Sequence, residues 1–291
     1  MERTAAVKLK NITKTFGSVV ANEDINMSIY NGEILALLGE NGSGKTTLMN
    51  MLSGIYYPDE GKIFINGKEE LIASPKDSFR LGIGMVHQHF KLIDVLSATE
   101  NIILGLEGKL NLKEASIKIK EICDKYGFDV DPDKKIYDMS VSEKQTVEIV
   151  KVLYRGASIL ILDEPTAVLT PQETEKLFNV LRNMRDDGKA IVIITHKMHE
   201  VLSLSDRVAV LRKGKYVGDM ITKETTVQQM TDMMVGHAVS LNIERPEPVN
   251  PKKRLEVKNL TVRSEDGVIK LKNVSFSLNS GEILGIAGIS G

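Results

Sequence analysis

Unbroken apolar runs, each followed by a polar or glycine-rich turn and then a helix-like stretch, recur through the first two thirds of the chain. Residues 33–38, 158–162 and 190–194 carry almost no polar alternation. Strands of a parallel sheet that are buried on both faces have this pattern. Strand runs alternating with helical segments predict an α/β fold. Residues from about 90 to 155 break the rhythm: helix formers dominate and no strand run occurs. A helical subdomain inserted into the sheet domain is expected there. Ser97-Ala98-Thr99-Glu100 and Ser142-Glu143-Lys144-Gln145 both fit a capping box and mark two expected helix starts.

Residues 242–254, with Pro246, Pro248 and Pro251 among charges, read as a linker. Beyond it the beginning of the chain recurs. Lys10-Asn11-Ile12-Thr13 returns as Lys258-Asn259-Leu260-Thr261, an offset of 248, and Gly32-Glu33-Ile34-Leu35 as Gly281-Glu282-Ile283-Leu284, an offset of 249. The expectation is one whole domain over 1–241 and the start of a second copy over 255–291, cut inside its first loop as in a fragment of a tandem protein.

Charge narrows the partners. Lys plus Arg (38) nearly cancel Asp plus Glu (39), which argues against nucleic acid held by bulk positive charge. Cys123 is the single cysteine, so no intrachain disulfide can form, and it reads as a small buried hydrophobe. No apolar run approaches the roughly 18 residues of a membrane span, and the first ten residues lack a signal-peptide core. A cytosolic location is expected.

The chemistry begins after the first apolar run. Gly39-Glu40-Asn41-Gly42-Ser43-Gly44-Lys45-Thr46 matches the phosphate-loop pattern G-x-x-x-x-G-K-[ST], between a strand and the helix-like stretch that starts at Thr47. Glycines let successive amides point at phosphate oxygens, and the helix N-terminus adds partial positive charge. Lys45 would meet the β- and γ-phosphates and the Thr46 hydroxyl would ligate Mg2+. Asp163 and Glu164 end a second apolar run, where sheets of this class bind ligands. Asp163 suits the metal and Glu164 a general base acting on water. His196 ends the third run in the same way, and Gln88, between sheet and insert, is a further metal-ligand candidate. His87 and His89 flank Gln88 without acid or cysteine partners at zinc spacing. His199 reads as solvated.

Phosphate loop, Gln88, the 139–145 segment, Asp163-Glu164 and His196 follow one another in the order found in ABC-transporter ATPases. The chain resembles that family over essentially its whole length. The resemblance implies a P-loop NTPase sheet domain of ABC type with a helical insert, ATP and Mg2+ as cofactors, and Phe16 stacked on adenine. Finer wording, residues 84–90 and 154–173, is similar to the tandem-domain ATPases of simple-sugar and nucleoside importers, above all the lipoprotein-dependent nucleoside branch. In that branch Thr170 stands where other members often carry Asp. Implied partners are membrane permease subunits, a second ABC domain in cis or a dimer partner, and indirectly a solute-binding protein or lipoprotein. The implied location is the cytoplasmic face of the membrane.

One motif departs from the family pattern. Met139-Ser140-Val141-Ser142-Glu143 aligns with a signature usually written Leu-Ser-Gly-Gly-Gln. Side chains replace both glycines, and a Glu there is expected to face like charge on a nucleotide's γ-phosphate. In the family each ATP lies between one domain's phosphate loop and the other's signature. The weakened signature would therefore serve the second phosphate loop, which in sugar-type relatives commonly lacks its lysine. An importer ATPase is the leading reading. A soluble ABC ATPase acting on ribosomes or DNA, and a module that only binds nucleotide, are the alternatives.

Overall fold

The computed structural model describes residues 4–88, 90–106, 111–237, 250–264 and 267–287. His89, residues 242–249 of the expected linker and the expected second loop at 288–291 lie outside the described residues. The chain divides into two units, Met1–Val239 and Ser240–Gly291.

In the first unit the order is β1 (Ala5–Phe16), β2 (Val19–Tyr30), β3 (Ile34–Leu38), α1 (Lys45–Leu52), β4 (Glu60–Ile65), β5 (Lys68–Glu70), α2 (Pro75–Arg80) and β6 (Ile83–Val86). Then follow α3 (Ala98–Ile103), α4 (Leu112–Tyr126), α5 (Val141–Tyr154), β7 (Ile159–Asp163), α6 (Pro171–Asp186) and β8 (Ala190–Ile194). The unit ends with α7 (Met198–Leu204), β9 (Arg207–Arg212), β10 (Lys215–Ile221) and α8 (Val227–Val235).

The three apolar runs are β3, β7 and β8, neighbours at the centre of a six-stranded sheet of order β10-β9-β3-β8-β7-β6. Its strands are parallel except β10. Both faces are covered, which is why these strands do not alternate. Leu35 and Leu37 pack with Leu48 and Leu52 of α1 on one face. Ile34, Leu160 and Ile191 pack with Leu177, Leu181 and Met184 of α6 on the other. Parallel strands all deliver their carboxyl ends to one edge, so the loops after β3, β7 and β8 meet there.

Between β6 and β7 the described residues form helices and no named strand. Ile102, Ile119, Cys123, Val147 and Val150 make a core of their own among α3, α4 and α5. Burial pushes the Cys123 thiol up to about 11, the behaviour of an inert packing residue. The α3 start carries the expected box, Ser97 with Glu100. The second box sits elsewhere than expected: α5 is capped by Ser140 with Glu143, not by Ser142 with Gln145. Both windows satisfy the same four-residue pattern, and burial chooses between them. Gln145 is 4% exposed and turned into the protein, whereas Val141 is 45% exposed.

A second sheet, β2-β1-β4-β5, outside the pattern of unbroken apolar runs, is wholly antiparallel. Its hairpin, β1 with β2, breaks strict alternation at two left-handed residues, Asn11 (φ 52°) and Asp24 (φ 50°). The second unit repeats this hairpin in β11 (Lys253–Arg263) and β12 (Ile269–Asn279). Asn259 (φ 53°) and Asn273 (φ 52°) reproduce the two left-handed positions. The Asp24 amide donates to Thr13 Oγ1 at 3.1 Å, and the Asn273 amide to Thr261 Oγ1 at 3.1 Å. Internal similarity therefore extends to the irregularities of the backbone. Lys253 and Arg254, read from sequence as the end of the linker, begin β11.

Candidate functional site

The phosphate-loop residues wrap the start of α1. Gly44 is its N-cap, with φ 96° and no side chain to cap it. The first-turn amides therefore have no intrahelical partner and point out of the helix end. A Cβ on Gly44 would lie 2.3 Å from the Ala21 carbonyl oxygen, and one on Gly39 2.3 Å from that of Leu211. The glycines are thus required both for backbone angle and for close approach. Lys45, 9% exposed, donates to the carbonyls of Gly39 (2.8 Å) and Glu40 (2.9 Å) and lies 3.4 Å from Ser43 Oγ. Burial pulls its pKa down, while Glu164 and Asp163 pull it back up.

Asn41 through Thr47, Gln88, Asp163 and Glu164 line one cleft of about 390 Å3. A larger cleft of about 580 Å3, between α4, α5 and α6, shares none of these residues. Thr46 Oγ1 donates to Asp163 Oδ2 at 3.4 Å across 117 positions of sequence. Burial, then the neighbouring Glu164 charge, raises the Asp163 pKa. Two crowded carboxylates with a hydroxyl and an amide oxygen are a donor set suited to a hard divalent cation. Uncapped amides beside a buried ammonium suit phosphate oxygens. The residues present thus fit Mg2+ and a nucleotide's phosphates.

Glu164 has φ 48°, uncommon for a residue with a side chain and worth about 1–3 kcal/mol of strain. Its amide, donating to the Ile194 carbonyl at 2.9 Å, holds the turn. The turn brings Glu164 Oε1 to 3.0 Å from His196 Nδ1, while Gln88 Nε2 donates to Oε2 at 3.4 Å. His196 reaches the cleft through this contact. His87 is half-buried, and burial with nearby Lys91 pushes its pKa down against Asp163 and Glu148. His199 is exposed on α7.

The ABC transporter family profile matches residues 22–167, half of the chain, spanning the phosphate loop, Gln88 and both acids. This chain belongs to the ABC transporter family. Nucleoside import ATP-binding protein NupA of Lactococcus lactis subsp. cremoris is 46% identical over 100% of this chain and 58% of its own length. Ribose import ATP-binding protein RbsA of Clostridium perfringens is 41% identical over 100% of this chain and 58% of its own. The ABC chain thus spans about 58% of the length of these relatives. Among solved structures, cbiO1 from Clostridium perfringens, part of the ABC transporter complex cbiONQ, aligns with TM-score 0.68 and 30% identity. The alignment covers 76% of this chain and 90% of that one.

Outside the cleft wall, Phe16 of the ABC chain ends β1, 43% exposed rather than in the core. Its ring meets Tyr56 edge-on at 5.1 Å, and Lys14 Nζ lies 5.4 Å from its centre. Asp59 clamps the two preceding residues, accepting from Lys14 Nζ (2.7 Å), Thr15 N (2.7 Å) and Thr15 Oγ1 (2.8 Å). These bonds, Lys14 first, depress its pKa to about 2. The chain leading into Phe16 is thereby anchored to Asp59.

In the segment of the ABC chain aligned with the family signature, Glu143 turns back on the start of its own helix. Glu143 does not project freely outward. Its carboxylate accepts from Ser140 N at 2.7 Å and pairs with Lys134 at 2.6 Å. Lys134, then the Ser140 bonds, lowers its pKa. A side chain of the helix itself occupies the α5 N-terminus. Gln145, two positions on, donates to the Pro165 carbonyl and so ties the insert to the turn after Glu164. Sequence reasoning assigned Gln145 to a cap, and a buried contact 20 positions away leaves no local signal.

The raised Asp163 pKa means that the folded chain holds this proton to higher pH than the unfolded chain. Its contribution to stability falls as pH rises through the folded value, leaving a penalty at pH 7. Asp163→Asn is therefore expected to raise the melting temperature, without nucleotide, by about 2 °C. Partial exposure of the carboxylate keeps the effect small. Thermal unfolding at pH 7 checks it, and a lower melting temperature contradicts it.

Proposed function

We propose that this chain is the ATP-binding and ATP-hydrolysing part of an importer energised by nucleotide, and that the imported solute is a nucleoside. The observation that carries the reading is the convergence of Lys45, Thr46, Asp163, Glu164, Gln88 and His196 on one edge of the sheet. Likeness to NupA favours nucleosides, and likeness to RbsA keeps simple sugars as the second class.

The chemistry asked of this chain is chiefly positioning and charge stabilisation. Phe16 offers a face to adenine. Amides of residues 42–47 and the Lys45 ammonium receive the phosphate oxygens. A divalent cation held by Thr46 and Asp163, with Gln88 as a further ligand, would offset phosphate charge. Glu164 accepts the proton of the attacking water, and His196 holds the Glu164 carboxylate toward the γ-phosphate.

The self-capped α5 N-terminus supports a weak phosphate contact on the signature side. Paired with a second domain, the chain would give one competent site, built on Lys45. Gln145 and Gln88 connect that site to the insert, where permease subunits would dock at the membrane's cytoplasmic face. Among the described residues no helix is long and apolar enough to cross a membrane.

The test joins binding to transport. The chain is expected to bind Mg-ATP in calorimetry. Cells carrying the intact transporter are expected to take up labelled nucleoside but not ribose, and to lose uptake with Lys45→Ala. Ribose uptake alone would move the solute to the sugar class, and absence of ATP binding would remove the reading.

A further inference from the structure

The β7–β8 ladder ends at the pair Asp163 and Ile194, with one more bond from the Glu164 amide to the Ile194 carbonyl. Past that point, among the described residues, no strand ladder joins the two loops that carry Glu164 and His196. The His196 side chain is 58% exposed, so packing does not fix it either. Directly beneath the two loops lies a compact polar cluster centred on Glu200 of α7, which is only 4% exposed.

Thr166 Oγ1 donates to both Glu200 oxygens, at 2.6 and 2.7 Å. Thr195 Oγ1 donates to Glu200 Oε2 at 3.3 Å and accepts from the Lys197 amide at 3.1 Å. Lys197 Nζ closes the ring, donating to the Thr166 carbonyl at 3.0 Å and to Thr166 Oγ1 at 3.2 Å, and pairing with Glu200 Oε1 at 3.0 Å. Thr166 and Thr195 are 2% and 3% exposed. A carboxylate this buried persists only when charge-paired and hydrogen-bonded, and here both conditions are met.

What the cluster joins gives it meaning. Thr166 stands two positions after Glu164, while Thr195 and Lys197 flank His196 on either side. One buried carboxylate therefore holds both loops whose side chains meet at 3.0 Å in the cleft. We infer that Glu200, with Thr166, Thr195 and Lys197, is a positioning clasp that sets the Glu164–His196 pair for ATP hydrolysis. None of the four clasp residues lines the cleft, and the clasp acts through the Glu164–His196 pair. The inference rests on the proposed hydrolytic role of that pair. A misplacement of about 1 Å at such a pair costs about 10²-fold in rate.

The hydroxyl of Thr166 offers the cleanest intervention, because Val matches its shape and Ser keeps the donor. The intact ATP-binding subunit, with its second domain and labelled with 13C-histidine, is compared as wild type, Thr166→Val, Thr166→Ser and Glu200→Gln. His196 resonances are assigned by His196→Gln. Thr166→Val and Glu200→Gln are expected to shift the His196 side-chain resonances and to lower kcat about 10²-fold, with KM for ATP changed by less than about twofold. Thr166→Ser is expected to restore both.

A folded Thr166→Val protein with wild-type His196 resonances and wild-type kcat overturns the clasp, whatever Glu200→Gln does to folding. Should every protein lack turnover, the hydrolytic reading fails on its own. The His196 resonances, read without nucleotide, would still decide whether the clasp positions that side chain.

Discussion

Glu164→Gln in the intact ATP-binding subunit is expected to retain Mg-ATP and to lose hydrolysis by about 10²–10⁴-fold. The substitution keeps the shape of the side chain and one oxygen to accept from Gln88, while its amide nitrogen takes the position facing His196 Nδ1. It removes the capacity to take a proton from water. Lys45, Thr46 and the loop amides, which carry binding, are untouched, so the dissociation constant is expected to stay within about threefold. Steady-state hydrolysis with equilibrium binding on the same preparation checks both halves. Turnover above a tenth of wild type would transfer the base role away from Glu164. Loss of binding along with turnover would show that the carboxylate supports the loop and does not act on water.

Gly44→Ala, by contrast, is expected to weaken nucleotide binding itself. The residue sits at φ 96°, and its added carbon would lie 2.3 Å from the Ala21 carbonyl oxygen and 2.6 Å from Asn22 Nδ2. Asn22 is fully buried and cannot swing clear. Left-handed strain alone is worth about 1–3 kcal/mol, and relief requires the start of α1 to move away from β2. That movement turns the first-turn amides from the phosphate position and carries Lys45 with them. An affinity loss of at least about 10²-fold is expected in titrations with Mg-ATP. Urea unfolding should show a loss of about 2 kcal/mol, smaller than the stability of an ordinary domain. Full affinity in a folded Gly44→Ala protein would contradict the tight approach.

Legibility differed by residue. Residues 39–46 were readable because a phosphate loop is local: angle, amide direction and lysine lie within eight positions of sequence. The β3, β7 and β8 runs were readable because burial on both faces leaves an unbroken apolar signature. The α5 register is not legible locally because Ser140 and Ser142 satisfy the same short pattern, and only the interior position of Gln145 separates them. The β1–β2 hairpin leaves a weak local signal because the left-handed Asn11 and Asp24 interrupt its period of two.

The candidate site divides in the same way. By itself the sequence determined the kind of chemistry: which residues can cradle phosphate, which acids end buried strands, and which family the order of motifs resembles. Tertiary structure alone decided the arrangement. It brought Thr46 to Asp163 and Glu164 to His196, and it folded Glu143 back onto its own helix end. It also placed a buried Glu200 beneath two loops that share no sequence neighbourhood. Local patterns record what a residue can do, because bond angles and hydrogen-bonding capacity belong to the residue and its near neighbours. Distances between far parts of a chain are set by the packing of the whole sheet and its helices, which no short stretch encodes.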